Sequence, residues 1–226
     1  MNSMESTKDI VIFDFCETLC NFQTADAFVD YVRSKIGSAK IQKKENLNLF
    51  LRRTRIASIA ELLTFHKLSI LKRLKLWQLV GVKESVVTEL ALGYYRDVVR
   101  PNLIGRTLDI LKEYHNKDCL VYLISGGYEQ YLRFFVEEFR IDNLISSKIA
   151  FSDGCCTGKL EGVDCVCNNK VKLLKVNLGN KRNRIIASYS DSKSDIPILS
   201  IADQPFVVSR SPQLWAVKKK FNEIIW

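Results

Sequence analysis

Residues 9–14, Asp-Ile-Val-Ile-Phe-Asp, decide the fold class of this chain. Four consecutive apolar residues stand between two aspartates, and a short run of this kind is typical of a strand that is buried on both faces of a parallel sheet. An aspartate at the end of such a strand is costly unless its charge is used or neutralised, although an Asp after a strand is often only a turn residue or a helix cap. Asp14 is therefore a candidate functional residue.

Two further apolar runs, residues 119–124 and 184–189, also end at polar residues. The first is followed by Ser125-Gly126-Gly127 and the second by Ser190-Asp191. Helical patterns lie between and after these runs, over residues 104–114, 129–139 and 169–176. Strands that alternate with helices of this length predict a doubly wound α/β fold with a Rossmann-like parallel sheet. Such sheets bind ligands at the carboxyl ends of their strands, where these polar residues stand.

The stretch from about residue 24 to residue 99 differs from the rest of the chain. It is rich in Leu, Lys and Arg, contains no proline before Pro101, and repeats its apolar residues at helical spacing. We therefore predict that residues 22–98 form a helical bundle inserted after the first strand, called the cap below, and that residues 1–21 and 99–226 form a Rossmann-like core. Residues 149–166, which contain Asp153-Gly154, predict a β-hairpin.

The composition is that of a globular protein, since 47% of the 226 residues are hydrophobic and 26% are charged. No apolar run approaches the ~20 residues of a membrane-spanning helix, and the polar residues 1–9 lack the apolar core of a signal peptide. Seven cysteines, an odd number, are scattered along the chain and favour free thiols in a reducing compartment. We expect a cytoplasmic protein without a transmembrane segment.

The net charge of +9 suits an anionic partner such as nucleic acid, an acidic membrane surface or a phosphorylated metabolite. No Lys/Arg segment is interleaved with stacking aromatics as in single-strand binders, so we expect a solvated basic surface and no nucleic-acid partner. Cys155, Cys156, Cys165 and Cys167 lie too close together in pairs for the usual spacing of structural zinc ligands, and free thiols are the favoured interpretation. The sequence does not predict the oligomeric state.

Three polar groups besides Asp14 have residue types that suit phosphate chemistry. Ser125-Gly126-Gly127 offers a hydroxyl and unobstructed backbone amides for phosphate oxygens. Lys170 opens a predicted helix and could supply a fixed positive charge, with a surface lysine as the alternative. Asp191 and Asp195 lie on a loop after a strand and could hold Mg²⁺ through oxygen ligands, although Asp195 could also cap the following helix. Each signal is weak when taken alone.

Together, in this order along the chain, the four groups resemble the four motifs of the haloacid dehalogenase superfamily. They look most like the phosphoserine phosphatase-like branch (subfamily IB type), in which a helical cap follows the first strand. The resemblance extends over nearly the whole chain and includes Arg100-Pro101, Thr157-Gly158-Lys159-Leu160 and residues 194–199. It implies a phosphatase, a Mg²⁺-dependent hydrolase of a small phosphomonoester such as a sugar, polyol or amino-acid phosphate. The reaction would proceed through an aspartyl-phosphate intermediate.

The resemblance also implies a role for each matching residue. Asp14 would be the nucleophile that attacks phosphorus, and Lys170 would neutralise charge on the nucleophile and the phosphate. The phosphate-binding residues would be Thr18, Ser125, Gly126 and Gly127. The ligands of Mg²⁺ would be Asp14, the backbone carbonyl of Cys16, and Asp191, with Asp195 supporting the site directly or through water.

Cys16 departs from the family pattern, in which a second aspartate usually protonates the leaving oxygen and later activates water. A thiol, with a reference pKa near about 8.5, is a poor substitute, and loss of a positioned acid/base typically costs on the order of 10²–10⁴ in rate. Glu17 and Ser190 also stand where the family more often has glycine. Three functions stay open: a phosphatase, a phosphotransferase that uses the same intermediate, and a catalytically weak phosphate-binding protein.

Overall fold

A computed structural model describes residues 8–37 and 70–226 of the chain. Within these residues the strands are β1 (Ile10–Phe13), β2 (Leu120–Tyr128), β3 (Asn143–Ser152), β4 (Cys155–Glu161), β5 (Ile185–Ser190), β6 (Gln204–Ser209) and β7 (Asn222–Ile225). They form a seven-stranded sheet in the order β4-β3-β2-β1-β5-β6-β7. Neighbouring strands run parallel except β3 and β4, which form an antiparallel hairpin. The predicted doubly wound α/β fold is confirmed.

The α-helices of the described residues are α1 (Thr24–Ile36), α2 (Ile70–Leu76), α3 (Glu84–Tyr94), α4 (Gly105–Asn116), α5 (Glu129–Phe139), α6 (Asn168–Leu178), α7 (Ile196–Leu199) and α8 (Leu214–Lys219). The three helices predicted over residues 104–114, 129–139 and 169–176 correspond to α4, α5 and α6, with ends that differ by a residue or two at most. None of the described helices is long and apolar enough to cross a membrane.

The central strand β1 is apolar throughout because each of its faces meets a different hydrophobic core. Val11 and Phe13 belong to the larger core. Ile10 and Ile12 belong to a smaller core that also contains Leu174 of α6. Successive side chains of a strand point to opposite faces, so a strand covered on both faces needs a continuous apolar run. This is the physical origin of the sequence pattern at residues 10–13.

The register of the sheet brings the ends of three strands together. Phe13, the last residue of β1, is paired with Leu123 of β2 and Tyr189 of β5. The Asp14 amide donates a hydrogen bond to the Tyr189 carbonyl at 2.9 Å, which fixes the residue directly after β1. The residues that follow these positions in the three parallel strands therefore lie at one edge of the sheet.

The helices between β1 and α4 share a core with the sheet. Helix α1 packs against α2 and α3, and α3 packs against α5. The Phe28 ring of α1 lies 5.3 Å from the Tyr94 ring, 5.2 Å from the Tyr131 ring and 6.1 Å from the Tyr128 ring, measured between centroids. Residues 38–69 of the predicted cap lie outside the described residues, and the division into a cap of residues 22–98 and a core stays a prediction.

Two strands begin or end differently from the sequence-based expectation. The apolar run at residues 119–124 continues as β2 to Tyr128, because the pairing with β3 shifts register after Ser125 and resumes between Tyr128 and Ser147. The hairpin predicted at residues 149–166 begins earlier, at Asn143. Its first strand starts early because it also pairs in parallel with β2.

Candidate active site

Asp14 and Lys170 meet at the sheet edge where β1 ends. Asp14 is 7% exposed, and Lys170, in the first turn of α6, is 4% exposed. The Lys170 Nζ donates to Asp14 Oδ1 at 2.8 Å and to Asp195 Oδ2 at 2.5 Å. Three charged residues from distant parts of the sequence therefore form one buried ionic cluster. The surface-lysine alternative for Lys170 is wrong.

Asp195 is oriented toward this cluster by two donors. Besides Lys170, the Ser190 Oγ donates to Asp195 Oδ2 at 2.7 Å, and the Ser192 amide donates to Ser190 Oγ at 3.3 Å. Asp195 occupies the N-cap position of α7, but its side chain makes no capping hydrogen bond. The Asp195 side chain therefore bonds to Lys170 and does not cap α7. Ser190, at a position where the family more often has glycine, donates a hydrogen bond to Asp195.

The carboxylates of the site raise one another's pKa values. Burial, followed by the charge of Asp14, raises the pKa of Asp191 to about 8. Burial also raises the pKa of Asp14 to about 6, although Lys170 acts in the opposite direction. For Lys170 burial disfavours the charged form, but the Asp14 and Asp195 carboxylates outweigh it and its pKa is raised. Two carboxyl groups contact the Lys170 ammonium and a third, Asp191, lines the same cavity, so a bound divalent cation would balance negative charge there.

The side chains at this edge fit Mg²⁺. Asp14 and Asp191 offer carboxylate oxygens at the wall of the same cavity, and Cys16, whose backbone carbonyl the resemblance implies as a ligand, also lines that cavity. Within residues 8–37 and 70–226 no group of three or more His, Cys, Asp or Glu side chains is placed so that it could hold a metal ion by itself. Mg²⁺ typically uses one or two carboxylates and keeps several waters, so it does not require such a group. Asp195 Oδ2 is already engaged by Lys170 and Ser190, which suits a supporting role.

The Ser125-Gly126-Gly127 segment, where β2 shifts register against β3, is built from close contacts. Ser125 is fully buried, and its Oγ accepts a hydrogen bond from the Gly127 amide at 3.1 Å. A Cβ at position 127 would lie 2.5 Å from the Tyr131 hydroxyl oxygen, and a Cβ at position 126 would lie 2.9 Å from a Val166 methyl. Glycine is therefore required at both positions unless neighbours move, and the backbone can approach a ligand closely.

Thr18 offers a hydroxyl that the protein itself does not use. Its Oγ1 is buried and has no hydrogen-bond partner among the described residues. Its carbonyl accepts from the Thr107 hydroxyl at 2.8 Å, so the backbone at Thr18 is held in place. A buried hydroxyl without a partner costs about 1–3 kcal/mol. A ligand oxygen bonded to Thr18 would recover that energy, which fits the phosphate-binding role implied by the resemblance.

A cavity of about 430 Å³ opens onto the ionic cluster. The predicted site residues that line it are Asp14, Cys16, Ser125, Gly126, Lys170, Asp191 and Asp195, whereas Thr18 and Gly127 are not among its described lining residues. Sequence reasoning missed several polar and apolar residues of its wall, which are Gln23, Asp26, Leu71, Lys72 and Asp164. Asp26 and Lys72 give a weak signal because polar residues in a helical segment equally suit a solvated helix face, and Gln23, Leu71 and Asp164 stand in no motif that marks a site.

Cys16 has a neutral thiol that is turned toward α1. Its Sγ lies 3.2 Å from the Thr24 Oγ1, and the Thr24 amide donates to the same sulfur at 3.5 Å. Thr24 Oγ1 in turn lies 2.6 Å from the Tyr131 hydroxyl. Burial, followed by the charge of Asp14, raises the pKa of Cys16 to about 11. The thiol therefore stays protonated near neutral pH and is a poor general base.

Glu17 adopts the left-handed conformation, with φ of 52°. This conformation explains why glycine is commoner at the position in the family, because a side chain there is strained. Glu17 lies beside Asp191, where its contact contributes to the raised pKa of that residue. Sequence reasoning gave Glu17 no role, and its position next to a predicted metal ligand depends on this backbone conformation.

Comparison with known proteins agrees with the fold. Residues 11–200 match the family model of haloacid dehalogenase-like hydrolases. The chain is 25% identical over 178 residues to a phosphoserine phosphatase of Methanocaldococcus jannaschii, which covers 76% of this chain and 71% of the relative.

Two solved structures show the same fold. A Bordetella pertussis Tohama I protein of unknown function has a TM-score of 0.76 and 20% identity, with 97% of this chain and 99% of that chain covered. A phospho-aspartyl intermediate analogue of phosphoserine phosphatase has a TM-score of 0.63 and 19% identity, with 97% and 94% covered. Because the family model spans most of the sequence, the chain belongs to the haloacid dehalogenase-like hydrolases, in the phosphoserine phosphatase-like branch, and is a phosphatase of that type.

Proposed function

We propose that the protein is a Mg²⁺-dependent phosphomonoester hydrolase that acts on a small phosphorylated metabolite through an aspartyl-phosphate on Asp14. The observation that carries the proposal is the buried cluster at the end of β1, where the Lys170 ammonium contacts both Asp14 and Asp195. Sugar, polyol and amino-acid phosphates are the proposed substrate classes. A cavity of about 430 Å³ is large enough for a phosphomonoester of this size.

The proposed reaction has two chemical steps, and the contact of Lys170 with Asp14 supports the first. In the first, the Asp14 carboxylate attacks phosphorus, a bond forms between its oxygen and phosphorus, and the bond to the leaving oxygen breaks. Lys170 balances negative charge on the nucleophile and on the phosphoryl group as it transfers. In the second step water attacks phosphorus, which releases phosphate and restores the Asp14 carboxylate.

Binding of phosphate falls to residues around the same edge of the sheet. Ser125 and the amide of Gly126, which line the cavity, supply donors for phosphoryl oxygens, and the Thr18 hydroxyl, which has no partner among the described residues, lies outside the cavity wall and becomes a donor only if the segment around it moves. The Gly127 amide already donates to Ser125 Oγ, so it orients that hydroxyl in the ligand-free protein. Bound Mg²⁺, held by Asp14, Asp191 and the Cys16 carbonyl with support from Asp195, would supply positive charge at the transferring phosphoryl group.

Residues at the rim belong to the proposed cap of residues 22–98. Gln23 precedes α1, Asp26 lies in α1, and Leu71 lies in α2, and all three line the cavity together with the catalytic cluster. Leaving groups are bound at this side of the cavity, so these residues contribute to the choice of substrate. The seven cysteines all lie within the described residues and are free, which supports a cytoplasmic location. The proposed partner is a small molecule and not nucleic acid.

Cys16 favours a second candidate, a phosphotransferase with the same aspartyl-phosphate intermediate. Position 16 has a thiol in place of a carboxylate, and its pKa of about 11 makes it a poor base toward water, so another hydroxyl compound can compete for the intermediate. The third candidate is a catalytically weak phosphate-binding protein, which results if nothing replaces the missing acid/base group at position 16. The three differ in what becomes of the phosphoryl group.

The test is a phosphate-release screen of the purified protein with Mg²⁺ over sugar, polyol, amino-acid and nucleotide monophosphates. Turnover of one class supports the hydrolase. Transfer to an added alcohol that exceeds phosphate release supports the phosphotransferase. Phosphate binding without any turnover or transfer would overturn both enzymatic proposals.

A further inference from the structure

Lys72 of α2 reaches from the proposed cap into a socket on the core. Its Nζ donates to Asp164 Oδ1 at 2.5 Å, to the Gly126 carbonyl at 2.5 Å and to Ser147 Oγ at 2.9 Å. The ammonium also lies 5.1 Å from the centroid of the Tyr128 ring. The side chains of Lys72 and Asp164 are only 13% and 7% exposed. The contact is therefore a nearly buried ion pair between two parts of the chain.

The three hydrogen bonds of the Lys72 ammonium indicate a structural role for this residue. A lysine ammonium has three N–H donors, and the carbonyl, hydroxyl and carboxylate of the socket accept one each. Although Lys72 lines the cavity, its donors are used by the protein and its charge is balanced by Asp164. A substrate-binding lysine would keep a donor for the ligand, so the geometry favours a structural connection to the core.

The socket is connected to both halves of the candidate active site. Gly126 belongs to the proposed phosphate-binding segment after Ser125. On the other side, the Asp164 carbonyl accepts from the Val166 amide at 2.9 Å and from Asn169 Nδ2 at 3.1 Å, and Asn169 stands directly before Lys170 in α6. A displacement of Lys72 would therefore shift Gly126 in the proposed phosphate-binding segment and the start of α6, which carries Lys170.

Ser147 completes the socket from β3. Its Oγ accepts from the Cys165 amide at 3.0 Å and donates to Asp164 Oδ1 at 2.5 Å. Removing Lys72 would take away one hydrogen bond and one positive charge from this buried carboxylate, which is more damaging than removing both partners of the pair. The pair is thus suited to hold α2 in one position relative to the core.

We propose that Lys72 and Asp164 form a latch that fixes the position of α2 on the core and thereby positions Gly126 and the loop before Lys170 for phosphoryl transfer. Lys72 is in this sense a positioning residue and not a catalytic one. The kinetic consequence rests on the proposed phosphatase function, whereas the structural consequence does not. Misplacement of catalytic groups by about 1 Å can cost on the order of 10²-fold in rate.

Helix α2 itself offers a matched control. Lys75, one turn further along, donates to Asp30 Oδ1 at 2.6 Å, and its side chain is 10% exposed. Asp30 lies in α1, so this ion pair joins two helices of the proposed cap and does not reach the socket. Lys75→Met removes a lysine of similar burial and its ion pair from the same helix, and Asp30, which is 51% exposed, keeps its ion pair with Arg33. This variant separates loss of the latch from general weakening of α2.

The test combines hydrogen exchange with kinetics on Lys72→Met, Asp164→Asn, the double variant and Lys72→Arg. We expect both single variants to speed amide exchange in α2 and in residues 164–170, and to lower kcat about 10- to 100-fold for every substrate while KM changes less than about threefold. The double variant should be no worse than the single variants, because the pair acts as one unit. Lys72→Arg should recover part of kcat, and Lys75→Met should leave exchange at residues 164–170 and kcat near the wild-type values.

Several outcomes would overturn the latch. Wild-type exchange rates in a folded Lys72→Met or Asp164→Asn variant would do so, even in a fully active phosphatase. An increase of KM confined to substrates with a second acidic group would instead make Lys72 a substrate-binding residue. If Lys75→Met changed exchange at residues 164–170 and kcat as much as Lys72→Met does, the Lys72–Asp164 pair would only contribute to the general stability of α2. If no substrate is turned over by any variant, the exchange rates still decide, so failure of the proposed function and failure of the latch are distinguishable.

Discussion

The Lys170 ammonium lies 2.8 Å from Oδ1 of Asp14, a residue 156 positions earlier in the chain. Both side chains are nearly buried, and the ammonium opposes the effect of burial on the Asp14 carboxyl. The parallel register of β1 and β5 fixes the backbone at Asp14, and the first turn of α6 presents Lys170 to it. An aspartate held in this way is suited to act as a nucleophile.

We predict that Asp14→Asn abolishes phosphate release from the best substrate, with a loss of about 10³-fold or more. A carboxamide neither attacks phosphorus effectively nor balances the charge of Mg²⁺. Phosphate release is measured with excess Mg²⁺, and in parallel on the wild-type protein with EDTA, which should also lose activity. Full activity of Asp14→Asn would show that Asp14 is not the nucleophile. Full activity of the wild type with EDTA would show that the reaction does not need the metal. A nucleic-acid-binding protein would instead show steeply salt-dependent affinity that Asp14→Asn barely changes.

Beryllofluoride or vanadate, added with Mg²⁺, should raise the melting temperature of the wild-type protein by about 5 °C or more at saturating ligand. Either anion mimics the phosphoryl group at Asp14, and a ligand that binds only the native state stabilises it by mass action. The measurement is a thermal unfolding scan, with Asp14→Asn as the control that should lose the shift. No shift at millimolar ligand would indicate a site that cannot accept a phosphoryl group.

Much of the fold and of the candidate site could be predicted because short patterns in the sequence indicate them. The run at residues 10–13 is apolar at every position since both faces of β1 are covered, and this fixed the position of Asp14 at a sheet edge. Lys170 and Asp191 were identified because each stands at a helix start or a strand end, where side chains converge in a parallel sheet. These signals depend on backbone topology alone.

What could not be predicted depends on side-chain direction and on packing between distant segments. Asp195 stands at a helix start as a capping residue would, and only the orientation of its side chain toward Lys170 separates the two roles. Lys72 is one of many basic residues in its segment, and its socket on the core is formed by residues 54 to 92 positions away. A single sequence contains no local pattern that joins such partners.

Gly127→Ala should destabilise the protein by about 1–3 kcal/mol, because the new methyl overlaps its neighbours. The added carbon would lie 2.5 Å from the Tyr131 hydroxyl and 3.0 Å from Leu132. Gly105→Ala, in the first turn of α4 where nothing lies within 4 Å of an added Cβ, is the control and should be neutral or slightly stabilising. Urea unfolding measures both. Equal stability of the two variants would contradict the close packing at the proposed phosphate-binding segment.

The neutral thiol of Cys16 leads to the most informative prediction, which concerns Cys16→Asp. A carboxylate at this position can accept from the Thr24 amide, which now donates to the sulfur at 3.5 Å, and faces the same cavity as Asp14. It should restore proton transfer to the leaving oxygen and activate water against the aspartyl-phosphate. We expect hydrolysis of alkyl phosphates to rise on the order of 10²-fold. The gain with p-nitrophenyl phosphate should be smaller, because its leaving group needs little protonation.

The same substitution separates the hydrolase from the phosphotransferase. If Cys16→Asp activates water, transfer of the phosphoryl group to added alcohols should fall while phosphate release rises, as measured by the ratio of the two products. Cys16→Ala removes the thiol without adding a carboxylate and should change either rate little, because a thiol with a pKa of about 11 contributes no base at neutral pH. Loss of activity in both Cys16→Asp and Cys16→Ala would show that the thiol itself is required. In that case the assignment of this position to acid/base catalysis by analogy with the family would be wrong, and Cys16 would have a role that its contact with Thr24 does not explain.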